Sequence, residues 1–110
     1  MFSPTRRLLH QACRVTLFTR QGCGLCDNAK ATLMKVQQQR PFEYEEIDVM
    51  APGKASWKLL YELDVPVAHI GPVTEKLLYT PQENKLWHRF DQNQIKAALD
   101  RIEKSQSGNT

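Results

Sequence analysis

Three cysteines among 110 residues are too few, and too odd in number, to staple a disulfide miniprotein. No apolar run approaches the ~20 residues of a transmembrane helix, so no membrane span or membrane partner is expected. No Lys/Arg run and no interleaved aromatics mark a nucleic-acid surface, so nucleic acid is not an expected partner either. Internal repeats and low-complexity segments are also absent. Acid is scarce at one end. Residues 1–40 hold seven Lys/Arg against Asp27 alone, a net +6, whereas residues 41–110 hold eight against eleven, a net −3.

What remains is an ordinary globular composition, 41% hydrophobic and 25% charged, in a length that suits one domain around one core. Residues 1–13 read as an N-terminal tail, residues 14–104 as the domain and residues 105–110 as a polar tail. The first fourteen residues carry Arg6, Arg7 and Arg14 with no acid, and Leu8, Leu9 and Ala12 could line a short amphipathic helix. That is the composition of a mitochondrial transit peptide; a plain tail is the other reading. The expected location is the cytoplasm or the mitochondrial matrix.

Between the tails the periodicity changes repeatedly. Residues 14–19 are β-branched and aromatic and predict a strand. Leu25, Ala29, Leu33 and Val36 recur at helical spacing up to Pro41. Residues 42–49 alternate as a second strand, which completes a βαβ unit, expected right-handed and parallel. Ser56 is a candidate N-cap for a second helix to about Leu63, with Trp57, Leu60 and Tyr61 on one face. Residues 65–70 read as a third strand ended by Gly71-Pro72. Residues 85–90 read as a fourth strand, and 76–80 as a hairpin partner or an extension. Asp91 with Gln94 forms a capping box before Ile95, Ala98, Leu99 and Ile102, the clearest amphipathic stripe in the chain. The predicted order is βαβαββα, an α/β fold with a four-stranded mixed sheet flanked by three helices.

The chemistry concentrates at Cys23-Gly-Leu-Cys26, which follows a strand and opens a helix. In that context a C-x-x-C pair reads as a redox dithiol. Cys23 near the N-cap faces unpaired backbone N–H groups and the positive end of the helix dipole, which favour a thiolate. Arg20, three residues earlier, adds to that field. Cys26, one turn inside, is the resolving thiol that attacks a mixed disulfide on Cys23. A zinc site from His10-x-x-Cys13 and Cys23-x-x-Cys26 is an alternative, but a predicted strand separates the two pairs, and no metal is expected. Cys13 reads as a bystander. His69 reads as packed, His88 as exposed, Trp57 and Trp87 as core or rim, and Glu43, Glu45 and Glu46 as a solvated face. Val65-Pro66, at the start of a strand after a helix, suggests a cis peptide bond.

Residues 16–27, with Thr-Arg-Gln-Gly-Cys-Gly-Leu-Cys-Asp at their end, together with Asp64-Val-Pro66 and Phe90-Asp91, resemble three landmarks of the glutaredoxins in the thioredoxin superfamily. The nearest resemblance is to the small glutaredoxin-like proteins with a C-x-L-C-D site, and it covers residues 14–103. It implies a thioredoxin/glutaredoxin fold and a monomeric thiol–disulfide oxidoreductase with Cys23 and Cys26 as catalytic thiols. Glutathione is implied as co-substrate, with protein disulfides as partners. Arg20 would take the place of the basic residue before the nucleophile. Val65 and Pro66 would hold the glutathione cysteine through their backbone beside a cis proline, and Asp91 would contact the glutathione amino group. An alternative within the same fold is a metal, iron–sulfur or protein-binding module. Three departures stand out. Gly24-Leu25 replaces the usual Pro-aromatic pair. His88-Arg89 stands where such proteins carry Gly-Gly, and bulk there narrows the groove. Residues 71–85 are longer than the usual hairpin link, and could cover the active site or present a different partner surface.

Overall fold

The computed structural model describes residues 13–107. The possible targeting segment and His10 therefore lie outside the described residues, as does the end of the polar tail.

The order is β1 (Cys13–Thr19), α1 (Gly24–Gln39), β2 (Glu43–Asp48), α2 (Ala55–Tyr61), β3 (Val67–Pro72), β4 (Lys85–Trp87) and α3 (Gln92–Ser107). The four strands form one mixed sheet in the order β2-β1-β3-β4. β1 runs parallel to β2 and antiparallel to β3, and β3 is antiparallel to β4. This is the fold that the alternation of periods predicts.

The central strand β1 is buried on both faces, and its period of two divides the core. Val15 and Leu17 join Ala68, Ile70 and Leu86 against α1 and α3. Phe18 joins Ile47, Val49, Tyr61 and Val67 on the opposite face, with Trp57, Val65 and Leu77 packed at the edge. Each fully buried Leu, Ile or Phe contributes roughly 1.5–3 kcal/mol. The α3 stripe is buried as its spacing predicts. On α1 the buried row is Cys26, Ala29, Leu33 and Val36. Cys26 thus takes the core-facing place that the spacing assigned to Leu25. Arg40, which caps the end of α1, bridges Asp100 and Glu103 of α3 at 2.8 and 3.1 Å.

Several boundaries differ from the sequence reading. β1 begins at the buried Cys13, which pairs with Pro72. α2 starts after Lys54 with no side-chain cap, so Ser56 is not its N-cap. β3 begins at Val67, after a cis Val65–Pro66 bond, and extends through Gly71 and Pro72 because both find partners on β1. β4 stops at Trp87, because His88 turns into the left-handed region at φ 58°. α3 continues to Ser107, past residue 104, since no glycine or proline intervenes before Gly108.

Residues 73–84 form no hairpin strand. They make two 3-10 turns, Leu77–Tyr79 and Gln82–Asn84. Two arginines hold this strap by its carbonyls. Arg14 donates to Val73 and Glu75, and Arg101 donates to Glu83 and to the Asn84 side chain. Leu77 anchors the strap to the α2 face. None of these anchors belongs to the turn that carries the dithiol.

Candidate active site

β1 ends at Thr19, and the chain turns through Arg20, Gln21 and Gly22 into α1. Gly22 sits at φ 76°, a conformation that glycine adopts without strain. That turn sets Cys23 as the N-cap of α1, at φ −102° and ψ 104°. Its Sγ accepts the Cys26 N–H at 3.1 Å, where an oxygen ordinarily caps a helix. The same donor and the helix dipole would stabilise a thiolate in the reduced protein. Cys23 is half-buried, and Cys26 is only 4% exposed. The two are joined as a disulfide with their Cα atoms 5.2 Å apart, within the usual span. The accessible sulfur is therefore Cys23, and the buried one is placed to close on it.

The sheet register brings the second sequence landmark alongside. Phe18 pairs with Val67, and Val67 pairs with Trp87. Val65-Pro66 therefore lies between the end of β1, which leads to the dithiol, and His88, which follows β4. With strands ~4.8 Å apart, the three segments form one rim across the end of the sheet.

Each ligand-binding position assigned by resemblance already has an internal partner. Arg20 donates to the Glu62 carbonyl at the end of α2, at 3.1 Å. The Val65 N–H donates to the Tyr61 carbonyl at 3.1 Å, and the Pro66 carbonyl accepts the His88 N–H at 2.8 Å. The exposed Asp91 accepts the Gln94 N–H through Oδ1 at 2.8 Å, and Gln94 returns a bond to the Asp91 N–H, the predicted capping box. These rim groups are thus engaged internally, and the Val65 N–H is not open to a ligand in this conformation.

Two depressions flank the dithiol helix. A polar one of about 290 Å³ is lined by Arg20, Cys26, Asp27, Lys30, Glu46 and Asp48 among others. Lys30 and Glu46 pair across it at 3.2 Å. The other, about 190 Å³, lies between α1 (Leu25, Asn28, Ala29 and Thr32) and His88, Arg89 and Phe90.

Cys13 is remote from all this. It stands at the opposite end of β1, ~20 Å along the strand. Burial, aided by nearby Glu103, pushes its thiol up to about 11. The pairing of Cys13 with Cys23 and Cys26 in one zinc site does not fit that geometry.

Two polar pairs escape the sequence. The Tyr61 hydroxyl meets His69 Nε2 at 2.7 Å beneath Phe18 and Trp57. His88 Nε2 lies 3.5 Å from Asp64 Oδ1. No local pattern marks either pair. The one available signal at residue 88 was the resemblance itself, which places glycine where the backbone turns left-handed.

A sheet of order β2-β1-β3-β4, a cis proline on its rim and a dithiol on the first turn of a helix define a thioredoxin-fold protein. The chain belongs to the glutaredoxin-like domain family (DUF836), whose model matches residues 14–100. It is similar to "Glutaredoxin-like protein YDR286C homolog" of Dictyostelium discoideum, 29% identical over 96 residues, covering 84% of this chain and 80% of that one. Among solved structures, the target protein XcR50 from X. campestris is 23% identical with a TM-score of 0.56, covering 79% of this chain and 96% of that one. Thioredoxin O1 from Arabidopsis thaliana in the oxidized state is 16% identical with a TM-score of 0.60, over 94% and 95% of the two chains. Chloroplastic thioredoxin z is 18% identical with a TM-score of 0.62, over 94% and 92%. These structural likenesses concern the fold.

Proposed function

We propose that this protein is a dithiol thiol–disulfide oxidoreductase that reduces protein disulfides and is itself re-reduced by glutathione. The observation that carries the reading is the capped dithiol: an accessible Cys23 sulfur on the helix dipole, bonded to a buried Cys26 one turn inside. The Cys23 thiolate attacks one sulfur of a substrate disulfide, forms a mixed disulfide and expels the other sulfur as a thiolate, which takes up a proton. Cys26 gives up its proton and attacks the Cys23 sulfur. The second substrate thiol leaves, and the protein holds the Cys23–Cys26 disulfide. Two glutathione thiols then restore the dithiol and leave as glutathione disulfide.

In this reading Val65, Pro66 and Asp91 line the approach to Cys23, with Arg20 and Lys30 adding positive potential toward an anionic tripeptide. Because the Val65 N–H is engaged by Tyr61, the glutathione arm needs a local rearrangement of the rim. The protein acts as a monomer in a reducing compartment, cytoplasm or mitochondrial matrix, where glutathione keeps the dithiol reduced.

The test is turnover of a protein disulfide in a coupled assay with glutathione and glutathione reductase. Cys23→Ser should abolish turnover, and Cys26→Ser should trap a mixed disulfide visible by mass spectrometry. Full turnover in the Cys23→Ser protein would overturn the proposal. A visible chromophore in anaerobically purified protein would instead favour the cluster-binding alternative.

A further inference from the structure

Resting on that dithiol reading, we infer that His88 is a specificity-determining residue that disfavours small disulfides at Cys23, without barring them, relative to disulfides presented by a polypeptide. His88 holds the left-handed backbone at φ 58°, a conformation that costs a non-glycine residue of its kind free energy. Three contacts maintain it. Its N–H donates to the Pro66 carbonyl, its ring lies 3.5 Å from Asp64 Oδ1, and Trp87 packs edge-on to it with centroids 6.3 Å apart. The His88–Asp64 contact spans from the segment after β4 to the loop that leads into Val65-Pro66. It forms a bar beside the rim.

The size of the neighbouring groove gives the bar its consequence. His88 also lines the depression between α1 and Arg89-Phe90, which measures about 190 Å³. Small-ligand sites usually offer ~300–1,000 Å³. In the glutathione-coupled reading, a tripeptide disulfide that brings its sulfur to Cys23 lays its remaining bulk along Val65-Pro66 and Asp91, beside this depression. With the bar closed, His88 occupies part of the rim and the Val65 N–H is already taken by Tyr61. Such a ligand enters only after His88 leaves Asp64. A disulfide on a protein surface approaches Cys23 from outside and keeps its bulk beyond the groove. Its reaction needs no displacement of His88. Both members of the pair are about half exposed, at 52% and 48%, so displacement costs the modest value of a surface pair.

The experiment compares kcat/KM of the reduced protein for glutathione disulfide with that for a protein disulfide such as insulin. In each case one protein dithiol becomes a disulfide and one substrate disulfide becomes two thiols. His88→Gly removes the side chain and suits the backbone, so folding should survive. The ratio of the two constants should shift toward glutathione disulfide by up to about fivefold, with the change in KM rather than kcat. Asp64→Ala, which frees the ring without removing it, should move the ratio in the same direction. An unchanged ratio in both variants, or parallel changes on both substrates, would overturn the inference. A wild-type protein without Cys23-dependent turnover of either substrate would instead overturn the dithiol reading on which it rests.

Discussion

Acid should destabilise this protein through one buried histidine. His69 is 2% exposed, and its Nε2 meets the Tyr61 hydroxyl inside the aromatic cluster of Phe18, Trp57 and Tyr61. Burial, reinforced by the cross-strand Lys85, lowers its pKa from 6.5 to about 4. The native state therefore holds His69 neutral, while the unfolded chain binds a proton below 6.5. The contribution is fully present above pH 6.5, falls as pH drops, and levels off near pH 4, where the native state is also protonated. At ~1.4 kcal/mol per pKa unit, the loss is on the order of 1 kcal/mol at pH 5.5 and on the order of 2–3 kcal/mol at pH 4.5. Urea unfolding of the oxidised protein at pH 7.5, 5.5 and 4.5 measures this. The control is the Tyr61→Phe/His69→Leu double variant, which removes both polar partners and leaves an apolar core. His10, His88 and the carboxylates are common to both proteins and largely cancel in the difference. Wild type should lose stability relative to the variant by those amounts. Parallel pH profiles would refute the assignment of a neutral, buried His69.

Other consequences are simpler to check. In reduced native protein at pH 8, iodoacetamide should label Cys23 quickly and Cys13 hardly at all, since burial holds the Cys13 thiol near 11; mass mapping before and after urea shows whether Cys13 labels only on unfolding. Asp91→Ala removes the α3 cap and should cost about 1 kcal/mol by denaturant titration. Leu33→Ala, at a fully buried position between sheet and α1, should cost about 2–5 kcal/mol by the same measurement.

The elements and the dithiol were legible because they are local. The α3 stripe, the β1 alternation and the strand–turn–Cys-x-x-Cys–helix order depend on neighbours within a few residues. Boundaries were less so. Residues 76–80 have strand-like composition yet form a 3-10 turn, because Arg14 and Arg101 hold the strap by its carbonyls where no strand offers a ladder. Lys54 rather than Ser56 precedes α2, and no local rule marks that difference.

Sequence alone determined the α/β fold and a disulfide-forming cysteine pair at a helix start, because periodicity and a two-residue cysteine spacing act through local geometry. Tertiary structure decided the rest. The register of β3 against β1 and β4 sets Val65-Pro66 between the end of β1, which leads to the dithiol, and His88. It also seals His69 beneath Trp57 and binds His88 to Asp64. Those partners stand 8 to 24 residues apart along the chain, and only the packing of α2 on the sheet and the pairing of β3 with β4 bring them within reach. The three cysteines so few in the sequence divide for the same reason. Two share a helix turn by spacing, and the third lies at the far end of β1 by the path of that strand.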